Sequence, residues 1–190
     1  MRRLASKVRP IADKLKNDLA PGCERIVIAG SLRRQERDVK DIELVAEPMY
    51  ERDLFGEPTE RDGITRLVRD LLGEGLLTWR TKDGLPADAP PGAQAAALKW
   101  GRKYIPLVHR ASGVPIDLFI VRPPAQWGAI LAIRTGPSDF SRLLVTRCKR
   151  YGRRCEGGRL LDPRGNEIDT PTEADFIRAC GLTPVAPERR

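Results

Sequence analysis

Three acidic residues stand inside two short apolar segments, where carboxylates are uncommon. Asp41 and Glu43 belong to the segment DIELV (residues 41–45), and Asp117 belongs to VPIDLFI (residues 114–120). Residues i and i+2 of an extended strand point to the same face, about 6.5–7 Å apart along the chain. Asp41 and Glu43 could therefore share a cation while the apolar residues beside them enter a core. Because Mg²⁺ prefers carboxylate oxygens, the pattern predicts a metal-dependent phosphoryl-transfer site.

A glycine-serine pair precedes the first two acids. Gly30 and Ser31 follow an apolar stretch at residues 26–28 and come shortly before Arg33 and Arg34. This order predicts a strand, a tight turn and the basic start of a helix. At such a turn the backbone can approach a phosphate, and a hydroxyl can donate a hydrogen bond to it.

The composition favours a folded protein with a polyanionic partner. The 190 residues include 34 Lys and Arg against 26 Asp and Glu, which gives a formal net charge of +8. A basic excess suits a partner such as nucleic acid, although net charge alone does not identify one. The N-terminal sequence MRRLASKVRP has no apolar signal-peptide core, and no long apolar run follows it. We therefore expect a cytoplasmic protein with no membrane partner.

The cysteines and the single histidine do not have the spacing of a zinc site. Cys23, Cys148, Cys155 and Cys180 form no C-x-x-C pair, and His109 is far from all of them in sequence. We expect reduced and mostly buried thiols. We interpret His109 as a surface residue of a hairpin rather than a catalytic base.

Apolar periodicity alternates between helical and strand patterns along the chain. Helical spacing predicts a helix over residues 3–19, whose apolar face consists of Leu4, Val8, Ile11, Leu15 and Leu19. Further helices are predicted at residues 64–72, 127–133 and 139–151 and after the N-cap Thr172, and strands at 24–29, 76–80, 103–108 and 115–121. Loops are predicted at residues 47–62 and 82–97. This order predicts an α+β fold with a break near residue 137.

Five short motifs occur in a fixed order along the chain. In order, the chain carries Gly30-Ser31 with Arg33-Arg34, Asp41-Ile42-Glu43, Ile116-Asp117-Leu118, Thr135-Gly136 and Gly181-Leu182-x-Pro184-x-x-Pro187-x-x-Arg190. This set resembles the motifs of the DNA polymerase X family, typified by DNA polymerase beta, within the nucleotidyltransferase superfamily. The resemblance implies a nucleotidyltransferase palm over residues 1–136, with a mixed or antiparallel sheet and flanking helices. It also implies a small α/β thumb over residues 137–190.

The resemblance implies a DNA-directed DNA polymerase that adds dNMP to a primer 3′-hydroxyl and fills short gaps. Asp41 and Glu43 would contact two Mg²⁺ (or Mn²⁺) ions, and Asp117 would contact the catalytic ion beside the 3′-hydroxyl. We expect a monomer whose partners are dNTP and template-primer or gapped DNA.

The resemblance also implies which residues bind the substrates. The nucleotide would be bound by Gly30, Ser31, Arg34, Arg134, Thr135 and Gly136, with Arg34 as a forked cation for the triphosphate. We interpret Arg33 as a solvated or structural neighbour, and Glu36 and Asp38 as surface charges. The phosphates of DNA would be contacted by Arg142, Arg147, Lys149, Arg150 and Arg154, although a solvated helix face would carry the same charges.

Three departures from the family pattern affect the expected activity. Glu43 replaces the usual Asp, which lengthens the side chain by one methylene. Ile133 and Arg134 stand where the beta-type enzymes have two aromatic residues, so we expect weaker exclusion of ribonucleotides. The region before Gly30 is too short for a lyase domain, so removal of a deoxyribose phosphate is not implied.

Two other functions fit the same residues. A template-independent nucleotidyltransferase could act on RNA, a small molecule or a protein, and primer extension that follows the template base would distinguish it. A catalytically inactive nucleic-acid-binding module could keep the fold, and metal-dependent release of pyrophosphate would exclude it.

Overall fold

The structure is a computed structural model that describes residues 2–80, 86–87 and 103–190. The described residues form α-helices α1 (Ala5–Leu19), α2 (Gly30–Arg33), α3 (Gly63–Gly73), α4 (Trp127–Thr135), α5 (Ser138–Arg150) and α6 (Glu173–Ala179). The strands are β1 (Arg3–Leu4), β2 (Cys23–Ile28), β3 (Asp38–Val39), β4 (Ile42–Pro48), β5 (Tyr50–Arg52), β6 (Pro58–Asp62), β7 (Leu77–Arg80), β8 (Pro86–Ala87), β9 (Tyr104–His109), β10 (Val114–Ile120), β11 (Arg154–Glu156), β12 (Arg159–Leu161) and β13 (Glu167–Ile168).

A mixed sheet of six strands lies at the centre of the first half of the chain. Its order is β2-β4-β10-β9-β7-β8, in which β4 and β10 are parallel and the other neighbours are antiparallel. The predicted hairpin of β9 and β10 is confirmed, as is the α+β class with a mixed sheet.

One face of this sheet forms the core because apolar residues alternate along its strands. Among the fully buried side chains of β4, β9 and β10 are Ile42, Leu44, Ile105, Leu107, Ile116 and Leu118. Helix α1 packs on β2 and on α3 and buries Val8, Leu15 and Leu19. Since strand residues alternate between faces, Glu43 and Asp117 must point to the other face.

The N-terminal helix differs from its predicted face at three positions, one of which is Ile11, which is only partly buried. Helix α1 begins at Ala5, and it buries Ala12 together with the predicted residues Val8, Leu15 and Leu19. Leu4, placed on the apolar face by the sequence, is 41% exposed and pairs in β1 with Asp38 of β3. Backbone pairing to β3 therefore decides the conformation of Leu4, and its prediction as a helical core residue is wrong.

A strand pair replaces the predicted loop at residues 47–62. Strands β5 and β6 pair across a turn in which the Asp53 carboxylate accepts the amides of Phe55 and Glu57. A close approach of Gly22 and Gly63 precedes helix α3, since a Cβ added to Gly22 would lie 2.5 Å from the Gly63 carbonyl carbon. Only glycine fits at that contact.

The chain divides into two compact units, of which the first contains residues 1–28 and 37–120. The second contains residues 29–36 and 121–190, with a core of Ala132, Leu144, Cys148, Leu160 and Phe176. Helices α4 and α6 of this unit are in contact at Gly128, where an added Cβ would lie 2.1 Å from the Thr172 carbonyl oxygen. The chain passes between the two units after residues 28, 36 and 120, and the predicted break near residue 137 stays a prediction.

The helices predicted in the second unit are present. Helices α4 and α5 match the predicted ranges within two residues, and Thr172 caps α6 in a reciprocal arrangement with Asp175. The loop predicted at residues 82–97 lies outside the described residues apart from β8. None of the helices in the described part of the chain is long and apolar enough to span a membrane.

Candidate functional site

The predicted acids lie at neighbouring strands of the central sheet. In the parallel pair of β4 and β10, Glu43 is the direct neighbour of Asp117, and Asp41 immediately precedes β4. All three side chains are partly buried. Burial raises the pKa of Asp41, and the nearby charge of Asp117 raises it further. Asp41 and Asp117 are thus close enough for their like charges to repel each other.

Asp117 has two hydrogen-bond partners that the sequence analysis did not identify. Arg80 forms an ion pair with Oδ1 of Asp117 and also donates to the Tyr104 hydroxyl. Tyr104 in turn donates to the same Oδ1 at 2.6 Å. Burial and the hydrogen bond to Asp117 raise the pKa of Tyr104 to about 12, so its hydroxyl keeps its proton and acts as a donor near neutral pH.

Strand register explains how Arg80 reaches Asp117. Asp117 pairs with Pro106 of β9, and Trp79 pairs with Leu107, so the next residue along β7, Arg80, stands opposite Pro106. Arg80 and Asp117 therefore flank Pro106 on one face of the sheet. The arginine has to extend over the short proline ring to reach the carboxylate.

The fit of this site to a metal ion rests on the chemistry of its donors. Within residues 2–80, 86–87 and 103–190, no group of three or more His, Cys, Asp or Glu side chains is close enough together to hold a metal ion. Carboxylate oxygens are nevertheless the ligands that Mg²⁺ and Mn²⁺ prefer. A cation would also relieve the repulsion that raises the pKa of Asp41. The donor types therefore suit a divalent cation, whereas the structure does not bring three of them together into one group.

The glycine-serine turn belongs to the second unit. Gly30 has φ of +61°, a conformation that favours glycine, and begins the short helix α2. The Arg34 amide donates to the Gly30 carbonyl at 3.1 Å, which closes the turn. The side chain of Ser31 is partly exposed. The predicted tight turn and helical start are thus present.

Arg34 is held by residues of the same unit. Its Nε donates to the Glu36 carboxylate at 3.1 Å, its Nη2 also contacts that carboxylate, and its Nη1 donates to the carbonyl oxygen of Thr135. A Cβ added to Gly136 would lie 3.2 Å from Arg34 Nη1. The structure therefore brings Arg34, Thr135 and Gly136 together. Glu36 is the ion-pair partner of Arg34 and its side chain is 36% exposed, so it is a paired charge at the surface.

Arg33 belongs to a buried ionic network that the sequence analysis did not predict. Its guanidinium donates to both carboxylate oxygens of Glu173, at 2.9 and 2.7 Å, and to the Thr135 hydroxyl at 2.5 Å. Arg190 donates to Glu173 at 2.8 Å and stacks over the Phe140 ring, 4.8 Å from its centre. Of the two roles considered for Arg33, the structure favours the structural one.

Glu173 is ionised by this network. Burial alone would raise its pKa, but the hydrogen bonds and charges of Arg33 and Arg190 outweigh burial, and the net pKa is lowered. The Arg190 side chain is only 2% exposed, and that of Glu173 is 12% exposed. Glu173 therefore compensates the buried charge of Arg190, and Arg33 and Arg190 together compensate the charge of Glu173. The sequence indicated one member of this network, because Arg190 is the last residue of the C-terminal motif.

The remaining predicted nucleotide residue, Arg134, lies on the last turn of α4. Arg134 is exposed, whereas the next residue, Thr135, is fully buried. Nothing in the structure tests whether Arg134 weakens the exclusion of ribonucleotides, so this effect stays a prediction.

The predicted DNA-binding residues are arranged on and after α5. Leu144 and Cys148 bury one side of this helix, and Arg142, Lys149, Arg150 and Arg154 are exposed, while Arg147 is partly buried. Arg142 pairs with Asp139 one turn earlier, and both side chains are largely in solvent. Such a pair is weak and could be exchanged for a phosphate contact.

His109 lies at the turn between β9 and β10. Its Nδ1 is 2.8 Å from the Ser112 hydroxyl, and its pKa is lowered by burial and by the charge of Lys14. It is therefore neutral at pH 7 and occupies the predicted hairpin position.

No protein-family model matches this chain, and no curated protein matches it. The resemblance to X-family polymerases therefore rests on the motifs of the sequence.

Proposed function

We propose that this chain is a DNA-directed DNA polymerase of the X-family type, which adds dNMP to a primer 3′-hydroxyl and fills short gaps. One observation carries the proposal: Glu43 and Asp117 are direct neighbours on parallel strands, and Asp41 lies two residues before Glu43. All three acids belong to the motifs that resemble this family. In this proposal the central sheet is a nucleotidyltransferase palm, and the helices after residue 137 belong to a thumb.

The acids would hold the divalent cations. Asp41 and Glu43 would contact two Mg²⁺ or Mn²⁺ ions, and Asp117 would contact the one beside the primer 3′-hydroxyl. When bound, such ions neutralise charge on the attacking and leaving oxygens of an in-line phosphoryl transfer. The protein's own contribution is to fix the carboxylates, which the parallel pairing of β4 and β10 does through the backbone.

Arg34 would bind the triphosphate together with the Gly30-Ser31 turn. A guanidinium has five N–H donors, and three of those of Arg34 contact Glu36 and Thr135. Two N–H groups therefore have no partner within the described residues and are available to phosphate oxygens. The contacts to Glu36 and Thr135 fix the plane of the fork, which lowers the entropy that binding would cost.

The exposed basic residues of α5 and β11 would contact DNA phosphates. Phosphate contacts give affinity without sequence preference, as gap filling requires. Lys149, Arg150 and Arg154 have no ion pair within the described part of the chain, so no ion pair of that part must be broken. Partners of this kind agree with the formal net charge of +8.

Primer extension on a one-nucleotide gap tests the proposal. We expect the wild type to incorporate the dNTP that pairs with the template base, with either Mg²⁺ or Mn²⁺ present. Asp117→Asn and Glu43→Gln should each abolish most incorporation. Asp13→Asn provides the matched control, because Asp13 lies on the surface of α1 and pairs with Arg9 alone among the described residues.

The pattern of incorporation separates this function from the others. Incorporation that ignores the template base would indicate a template-independent transferase instead. DNA binding without any metal-dependent release of pyrophosphate would indicate an inactive binding module. Full activity in Asp117→Asn would remove the acids from the site.

A further inference from the structure

The two donors that contact Asp117 bind the same carboxylate oxygen. Arg80 and Tyr104 both donate to Oδ1, and Tyr104 is itself held by the second contact of Arg80. No donor among residues 2–80, 86–87 and 103–190 is bonded to Oδ2. The carboxylate is thus fixed through one oxygen, while the other accepts no hydrogen bond from the described residues.

This arrangement is built into the sheet rather than into a loop. Arg80 ends β7, Tyr104 begins β9 and Asp117 lies in the middle of β10, so each backbone is fixed by strand pairing. The ring of Tyr104 stacks on Phe119, with ring centres 5.2 Å apart. The Arg80 and Asp117 side chains are only 16% and 17% exposed. Solvent therefore competes little with these hydrogen bonds.

We propose that Arg80 and Tyr104 are positioning residues, which hold Asp117 through Oδ1 so that Oδ2 is presented to the divalent cation. This inference rests on the proposed function, in which Asp117 is a metal ligand. A ligating carboxylate that is free to rotate loses conformational entropy on binding, whereas one already held by hydrogen bonds does not. Arg80 and Tyr104 do not touch the cation or the substrate in this arrangement.

The alternative role is that the Arg80–Asp117 pair only stabilises the fold. In that case, removing a donor would lower the melting temperature and leave the affinity for cations unchanged. A second alternative is that Arg80 merely adds positive charge, in which case its removal would strengthen cation binding. The two variants below give different results under each alternative.

Mn²⁺ binding to the free protein, measured from the EPR signal of unbound Mn²⁺, tests the inference without any polymerase assay. Tyr104→Phe keeps the charge and the ring that stacks on Phe119 but removes the hydroxyl. We expect it to weaken Mn²⁺ binding about 10- to 100-fold, the usual effect of losing a partner of a metal ligand. Tyr151→Phe, which removes a half-exposed hydroxyl from the second unit, should bind Mn²⁺ like the wild type.

Arg80→Gln shows whether Arg80 strengthens or weakens the binding of Mn²⁺. Weaker Mn²⁺ binding supports positioning, whereas unchanged or tighter binding overturns it for Arg80. Melting temperatures of all variants, measured without metal, show whether they are folded. Wild-type affinity in a folded Tyr104→Phe overturns the inference for Tyr104.

Asp117→Asn separates failure of the inference from failure of the proposed function. If this variant loses Mn²⁺ binding but Tyr104→Phe and Arg80→Gln do not, the metal site stands and the positioning role is wrong. If the wild type does not bind Mn²⁺, or if Asp117→Asn binds it equally well, both the proposed metal site and the positioning role are wrong.

Discussion

Replacing Glu173 by Gln should destabilise the protein more than any surface substitution of the same kind. Glu173 accepts two hydrogen bonds from Arg33 and one from Arg190, and its side chain is 12% exposed. Glutamine keeps the shape and one acceptor oxygen but removes the charge. Arg190, which is 2% exposed, would then be a buried cation with no carboxylate partner in the part of the chain that the structure describes.

Breaking a buried ion pair by removing one partner costs about 3–5 kcal/mol, because the remaining charge is uncompensated. Glutamine can still accept one hydrogen bond, so we expect the lower end, about 3 kcal/mol. For a chain of this size, each kcal/mol lowers the melting temperature by about 2–4 °C, which predicts a fall of roughly 6–12 °C. This is a large share of a total stability of about 5–15 kcal/mol.

Urea unfolding of wild type, Glu173→Gln and the exposed control Glu188→Gln at pH 7 measures the difference. The control should stay within about 0.5 kcal/mol of the wild type. The lowered pKa of Glu173 makes its stabilisation complete above its unfolded-state pKa, near 4.3, and lost as the pH falls through the folded-state pKa. The gap between wild type and Glu173→Gln should therefore shrink in acid. A variant within about 0.5 kcal/mol of the wild type at pH 7 would refute the network.

Three further outcomes are expected. Asp41→Asn should lose nucleotide incorporation yet melt at or above the wild-type temperature at pH 7, because burial and a neighbouring carboxylate raise the pKa of Asp41 and make its ionised form costly to fold. That stabilisation should disappear below about pH 4, where the unfolded chain is also protonated, and a lower melting temperature at pH 7 would contradict it. Arg34→Ala should weaken dNTP binding about 10- to 100-fold and DNA binding much less, since a charge-assisted bond contributes about 1.5–3 kcal/mol; equal losses would remove Arg34 from the triphosphate. Replacing Arg150 and Arg154 together with Ala should flatten the log-log salt dependence of DNA affinity by about 0.9 per lost phosphate contact, and an unchanged slope would make them merely solvated.

The strands that carry Glu43 and Asp117 could be predicted because their apolar residues alternate with a period of two. Alternation with a period of two places Ile42 and Leu44 in the core and Glu43 on the other face, and the structure has this arrangement. The parallel pairing that makes Glu43 and Asp117 neighbours is different. It depends on which strands meet, and alternation within each strand contains no information about that.

Partners that are distant in sequence were missed for the same reason. Arg80 is 37 residues from Asp117, and Arg33 is 140 residues from Glu173. Each contact depends on tertiary packing, and an isolated charged residue in the sequence indicates only an exposed surface. The strands at residues 50–62 were missed because few apolar residues mark them, and backbone hydrogen bonds and the Asp53 turn hold them instead.

The composition of the second unit from two separate stretches has a consequence for synthesis on the ribosome. Residues 29–36 are made early, but the partner of Arg33, Glu173, follows 140 residues later. At about 5–20 residues per second, Arg33 waits roughly 7 to 28 s before its carboxylate exists. Thr135 follows Arg33 by 102 residues, so for roughly the first 5 to 20 s the glycine-serine turn has neither Glu173 nor Thr135 to hold it. The first of the motifs to be translated is thus among the last to reach its final hydrogen bonds, and a nascent chain stalled before residue 173 would carry an unfinished turn.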